Sequence, residues 1–113
     1  MYVIPIDFGT PAYDETVDLR DRILRQPLNL QFTTKQLEVE FEDVHLACYN
    51  DNAQLLGCLV IMKIDKTTIK MRQVAVDNEV QKNGVGTAMV NACEHYGKDN
   101  DYREIELLSL IHI

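Results

Sequence analysis

MRQVAVDNEVQKNGVGTAM, residues Met71 to Met89, decides the fold. Its first half belongs to a β-rich run, Ile69 to Val76, and its second half opens a helix. Val85, Ala88, Met89, Ala92, Cys93 and Tyr96 recur at the spacing of one helical face. That periodicity predicts a helix over Val85 to Tyr96, with Gly97 as its C-cap. Between strand and helix lie Gln81, Lys82, Asn83, Gly84, Val85 and Gly86. Gly84 and Gly86 let a backbone come close to a ligand. The first-turn N–H groups have no partner inside the helix, and the positive end of its dipole points the same way. Together these features can hold a phosphate. The plainer alternative is that two glycines merely shape a tight loop into a helix. Other nucleotide loops fail: a P-loop needs Gly-Lys-Ser/Thr, and here Gly86 is followed by Thr87 and Ala88. A dinucleotide fingerprint needs glycines at the strand end and a third at position 89, which is Met.

Outward from this unit, the pattern on the N-terminal side is hairpin-rich. Val44 to Tyr49 and Gln54 to Ile64 read as strands, and Asn50, Asp51 and Asn52 supply turn chemistry for an antiparallel hairpin. Asp65, Lys66 and Thr67 form the turn into Ile69 to Val76. Earlier, Tyr2 to Phe8 reads as a short strand ending at Gly9. Thr10 and Pro11 then open a helix whose apolar positions are Ala12, Thr16, Leu19 and Ile23, flanked by Val17 and Leu24, and Pro27 ends it. Asp18 with Arg22, and Asp21 with Arg25, stand at i,i+4 in the favourable order. Thr33 or Thr34 caps a second helix reaching about Glu42, anchored by Leu37 and Phe41. Arg103 to Leu107 is a last strand, expected parallel to Ile69–Val76 through a right-handed crossover. The order β-α-α-β-β-β-α-β predicts a mixed α/β (α+β) domain, mostly antiparallel, with helices on the sheet.

The chain's 113 residues allow one domain, and 46% apolar with 26% charged residues is ordinary for a globular protein. A net charge of -7 argues against nucleic acid as the main partner. Cys48, Cys58 and Cys93 are scattered, and His45, His95 and His112 share no ligand spacing with them, so no metal site is expected. This usage fits buried thiols in a reducing cytoplasm. The N-terminus has neither a basic region nor a long apolar stretch, and nothing approaches a membrane span.

The strand Arg72-Gln-Val-Ala-Val76 followed by Gln81-Lys-Asn-Gly-Val-Gly86 resembles the acyl-CoA motif of the GNAT superfamily of N-acetyltransferases. Leu24-Arg-Gln-Pro-Leu28, Leu56-Gly57 and Arg103 to Leu107 also fall in that family's order, so the resemblance covers nearly the whole chain. It implies acetyl-CoA as co-substrate and a primary amine, on a small molecule or a peptide, as acceptor. The amides from Gln81 through Lys82, Asn83, Gly84, Val85 and Gly86 to Thr87 would bind the pyrophosphate. Val74, Ala75 and Val76 would pair with the pantetheine amides as a strand would. The N–H of Val74 would polarise the thioester carbonyl. A homodimer is the oligomer this family reading entertains. A non-catalytic acyl-CoA-binding or regulatory module is the rival function.

No general base is assigned. Some family members carry a glutamate four residues before the position of Val74; here that residue is Lys70, a poor base unless deeply buried. Gln73 takes no proton. Glu38, Glu40, Glu42 and His45 titrate, and the sequence places all four on a solvated surface. Family members continue beyond this last strand, and the helix that supplies a tyrosine acid has no counterpart here. Leu108-Ser-Leu-Ile-His-Ile113 is what CTG TCT CTT ATA CAC ATC, a transposase adapter end used in sequencing libraries, would encode; the plainer alternative is a natural hydrophobic strand end. Residues 1–107 are accordingly expected to be an incomplete domain, 108–113 a non-native tail, and the 113-residue chain inactive by itself.

Overall fold

The computed structural model describes residues 1–78 and 84–107, with the backbone alone for the last of these. The expected tail, 108–113, and Gln81, Lys82 and Asn83 lie outside them. Five strands form one sheet in sequence order: β1 (Tyr2–Ile6), β2 (Val44–Tyr49), β3 (Leu55–Lys63), β4 (Thr68–Val76) and β5 (Glu104–Leu107). Neighbours from β1 to β4 are antiparallel, and β5 runs parallel to β4. The mixed α/β, mostly antiparallel fold expected from the sequence is therefore observed.

The first helix, α1 (Pro11–Arg20), begins as the sequence predicts. Thr10 is its N-cap, its hydroxyl accepting from the Tyr13 N–H (3.2 Å), and Pro11 occupies the first turn. Its end is softer than Pro27 alone implied: a π-helical turn (Asp21–Arg25) and a 3-10 turn (Gln26–Leu28) follow, with Pro27 inside the latter. Neither expected i,i+4 ion pair forms. The Asp21 carboxylate accepts the Phe32 N–H (3.2 Å), and the Arg25 guanidinium lies 4.4 Å from the Phe32 ring centroid.

The second helix, α2 (Thr34–Glu38), is shorter than expected. Thr33 and Gln36 form a reciprocal capping box at its start. It stops before Glu42 because Glu40 turns inward, leaving Val39 and Phe41 outside at 75% and 69% exposure. Phe41 is thus no core anchor; its ring meets Phe8 edge-on.

The third helix, α3 (Val85–Asp99), runs past the expected C-cap. Gly97 sits buried inside it, where an added Cβ would stand 3.5 Å from Ile69 Cδ1 and 3.8 Å from Ile105 Cδ1. Both distances are ordinary van der Waals contact, so Gly97 packs beside β4 and β5 as a regular helical residue. The helix ends at Asn100 instead, whose side-chain amide donates to the Tyr96 carbonyl (2.9 Å).

Adjacent strand residues point to opposite faces of a sheet. On one face Leu46, Cys48, Leu59, Ile61, Ile69 and Met71 pack with Val85, Met89 and Cys93 of α3. On the other, Leu19 of α1 meets Cys58 and Ala75 in a smaller cluster.

Candidate functional site

Sequence pattern and structure converge at the end of β4. Cys58 pairs with Ala75 and Val60 with Arg72, so Gln73 and Val74 together oppose the single residue Leu59. This is a β-bulge, and Gln73 takes it with φ 53°, a left-handed conformation that costs a side-chain-bearing residue about 1 kcal/mol or more. The extra residue shifts the alternation of the strand by one. Ile69 and Met71 face α3 before the bulge, and Val74 and Val76 face it afterwards. β5 pairs with Thr68–Met71, so the described β4–β5 ladder stops just short of the bulge. Val74 is half-buried, and Ala75 and Val76 are buried on opposite faces.

Gly84 is the N-cap of α3 with φ 78°, a conformation that suits glycine, and no side chain caps this end. The first helical bond described runs from Ala88 N–H to the Gly84 carbonyl (3.0 Å). The amides of Val85, Gly86 and Thr87 thus lie in the turn that has no acceptor of its own within a helix. Val85 and Gly86 are buried and Thr87 is exposed. What brings this turn onto β4 is Gly57. A Cβ there would lie 3.0 Å from each of Ala75 O, Met89 Cε and Val85 Cγ1. In the sequence Leu56-Gly57 marks only the order of elements; the signal for the packing role is a glycine inside a strand, which marks close approach.

Two of the residues expected on the surface, Glu40 and His45, are in fact interior, at 5% and 4% exposure. Arg20, beside them, is 1% exposed. Arg20 Nη1 and Nη2 donate to the two Glu40 oxygens at 2.8 and 2.6 Å, a bidentate pair. Tyr13 OH also donates to Glu40 Oε1 (3.0 Å), and buried His45 donates from Nε2 to the Glu40 carbonyl (2.9 Å). Burial disfavours charge on Glu40, but the hydrogen bonds and charge of Arg20 outweigh it and hold the carboxyl below its ordinary range. Burial and the adjacent Glu40 charge push the Tyr13 phenol well above its own. Arg20 also stacks 4.6 Å from the Phe32 ring centroid, and its Nε is buried without a partner. These partners could not be paired from sequence, because they stand 20 and 27 residues apart. Glu40 and His45 are engaged in the fold and poorly suited to take a substrate proton. Glu38 and Glu42 are exposed as expected.

The three thiols are buried, as their spacing suggested. Burial pushes Cys58 up to about 12 and Cys93 up to about 11, so neither offers a thiolate nucleophile near neutrality. Among the described residues, no cluster of His, Cys, Asp and Glu is placed to hold a metal ion, and no helix is long and apolar enough to cross a membrane.

This architecture is shared with solved proteins. Rv2747 from Mycobacterium tuberculosis, in complex with CoA and NLQ, superposes with TM-score 0.74 at 17% identity, over 96% of this chain and 65% of that one. An aminoglycoside 6'-N-acetyltransferase complexed with coenzyme A gives 0.75 at 20% identity, over 95% of this chain and 61% of the other. A GNAT family acetyltransferase from Elizabethkingia anophelis with acetyl-CoA bound gives 0.72 at 18%, over 93% and 62%. The chain spans less than two thirds of the length of each. The sequence pattern of the acetyltransferase (GNAT) family matches residues 13–111, and the chain belongs to that family.

Proposed function

We propose that the protein transfers an acetyl group from acetyl-CoA to a primary amine. The observation that carries this reading is the pairing of a β4 bulge at Gln73–Val74 with an uncapped glycine start of α3, held against the sheet by Gly57. In this reading the amides from Gln81 to Thr87 hold the pyrophosphate at the positive end of α3. The β4 edge at Val74–Val76 pairs with the pantetheine amides, and the Val74 N–H donates to the thioester oxygen as charge develops there. The acceptor nitrogen attacks the carbonyl carbon, the C–S bond breaks, and the sulfur leaves as thiolate. The amine loses its proton to solvent or arrives already neutral. No covalent enzyme intermediate is needed, in keeping with the raised thiols of Cys58 and Cys93. CoA and acetyl-CoA in the similar structures support the cofactor assignment.

Gly86→Val, made in the full-length protein, tests the cradle. Calorimetric CoA affinity is expected to fall by about 1–3 kcal/mol through blocked backbone approach. Unchanged affinity would remove the loop from the site. A second reading, a non-catalytic acyl-CoA-binding module, is favoured by Lys70 standing where some relatives carry a glutamate. Acetyl-CoA turnover with an amine panel separates the two.

A further inference from the structure

Two cations on β4 have no counterpart in the mechanism above. Lys70 pairs across the ladder with Met62, and Arg72 with Val60. Ile69 and Met71 point into the α3-side core, so Lys70 and Arg72 point to the opposite face, where α1 packs. The contact from Arg72 Nη1 to the Met62 sulfur (3.5 Å) confirms that Lys70's cross-strand neighbour shares this face. Both cations are half-buried. Among the described residues the ion pairs are Met1 with Asp51 and Arg20 with Glu40, and neither includes Lys70 or Arg72. The contrast with Arg20 is sharp: one guanidinium grips a carboxylate with two bonds, and the other meets a thioether, a weak acceptor. Asp43 acts on Arg72 electrostatically without coming within ion-pair distance.

We propose that Arg72, assisted by Lys70, binds an anionic group on the acceptor, so that the amine acetylated here also carries a carboxylate. The inference rests on the acetyl-transfer reading, because that reading puts the reacting carbon at Val74. Arg72 lies two residues back along the strand, just before the bulge, at most ~7 Å away along the chain and within reach of a flexible guanidinium. An α-amino acid, or a peptide whose reactive amine lies near a carboxylate, fits this span. A guanidinium matches a carboxylate bidentately, which orients the amine as well as attracting the substrate. A polycation would meet like charge at the same place and be disfavoured.

The test compares full-length protein on α-amino acids, the matching α-amides and a polycationic aminoglycoside, with CoA affinity measured in parallel. The free acids should exceed their amides in kcat/KM by about tenfold or more, the scale of one charge-assisted interaction. Arg72→Met should abolish that preference, mainly through KM, while leaving the Kd for CoA unchanged, and Arg72→Lys should restore part of it. Lys70→Met should weaken it in the same direction, which keeps the test intact if Arg72→Met fails to fold. Equal or better turnover of amides or of the aminoglycoside would overturn the carboxylate inference and leave acetyl transfer standing. CoA binding with no amine acetylated would overturn both.

Discussion

The two faces of the sheet are stabilised by different physics. Under α3 the contacts are apolar almost throughout, from Leu46 and Cys48 across to Ile69 and Met71. Under α1 the apolar cluster is small, and an Arg20–Glu40–Tyr13–His45 network lies beside it. The first face accepts apolar swaps of similar volume, because burial is rewarded in proportion to area. The second is unforgiving, since a buried charge is stable only while its particular partner is present. The α3 face also carries the glycine-started first turn of α3, proposed above to hold the pyrophosphate, whereas the α1 face carries the cations proposed to bind the acceptor.

The largest expected effect breaks the second face. Glu40→Ala strands the Arg20 guanidinium in the interior and should cost about 3–5 kcal/mol in a denaturant titration. Replacing both partners with apolar residues, Arg20→Met with Glu40→Leu, should cost less than the single change. A Glu40→Ala midpoint equal to that of the parent would show that the network contributes nothing. The pH dependence has a definite sign. Glu40 has a folded-state pKa below its ordinary value, so its contribution is complete above the unfolded carboxylate range and fades as pH falls through the depressed value. Glu40→Gln should remove that part of the acid sensitivity.

This contrast explains what could be read in the sequence. Val85 to Cys93 announced its buried face by spacing, and the parallel β5 followed from a strand–helix–strand order, because such signals are local. Glu40 looked like one of three alternating carboxylates, Glu38, Glu40 and Glu42, and nothing nearby distinguished it. Its partners come from α1, so only the folded chain identifies it. The same reason accounts for the overextended second helix, since the inward turn at Glu40 is what ends it. Gly97 shows the opposite case: a glycine near the end of a periodic run looks like a cap, but the helix continues to Asp99 with Gly97 buried beside Ile69 and Ile105. The bulge was hidden as well, because Arg72-Gln-Val-Ala carries no glycine or proline to mark it. Of the proposed carrier residues, the structure brings Val74–Val76 and Gly84–Thr87 to one end of one strand–helix unit.

A smaller effect sharpens the comparison from the α3 side. Gly57→Val places methyl groups where Ala75 O, Met89 Cε and Val85 Cγ1 already stand at 3.0 Å from a single Cβ. Met89 and Val85 can yield, but the carbonyl belongs to the β4 ladder and cannot easily do so. Overpacking of this kind costs about 1–3 kcal/mol, and α3 should be displaced at its first turn. CoA affinity should therefore fall along with stability. If affinity survives while stability drops, the position of that turn does not govern the cradle.

The smallest effects compare two helix starts. Thr10 and Thr33 both accept an N–H from three residues on, at 3.2 and 3.1 Å, so the cap bonds alone, leaving aside the Gln36 return bond at Thr33, would assign the two equal weight. Their surroundings differ. Thr10 opens α1, which buries Tyr13, Thr16, Leu19 and Arg20, so that helix cannot unwind without breaking the network. Thr33 opens α2, five residues with none buried, where the turn can fray alone. Thr10→Ala should cost about 1 kcal/mol of global stability in urea. Thr33→Ala should cost less by the same measure and appear instead as faster amide exchange confined to Lys35–Glu38. Equal shifts of the global midpoint would mean that α2 unfolds together with the rest. The short helix would then be a full member of the α1 face, bound to it through Glu40.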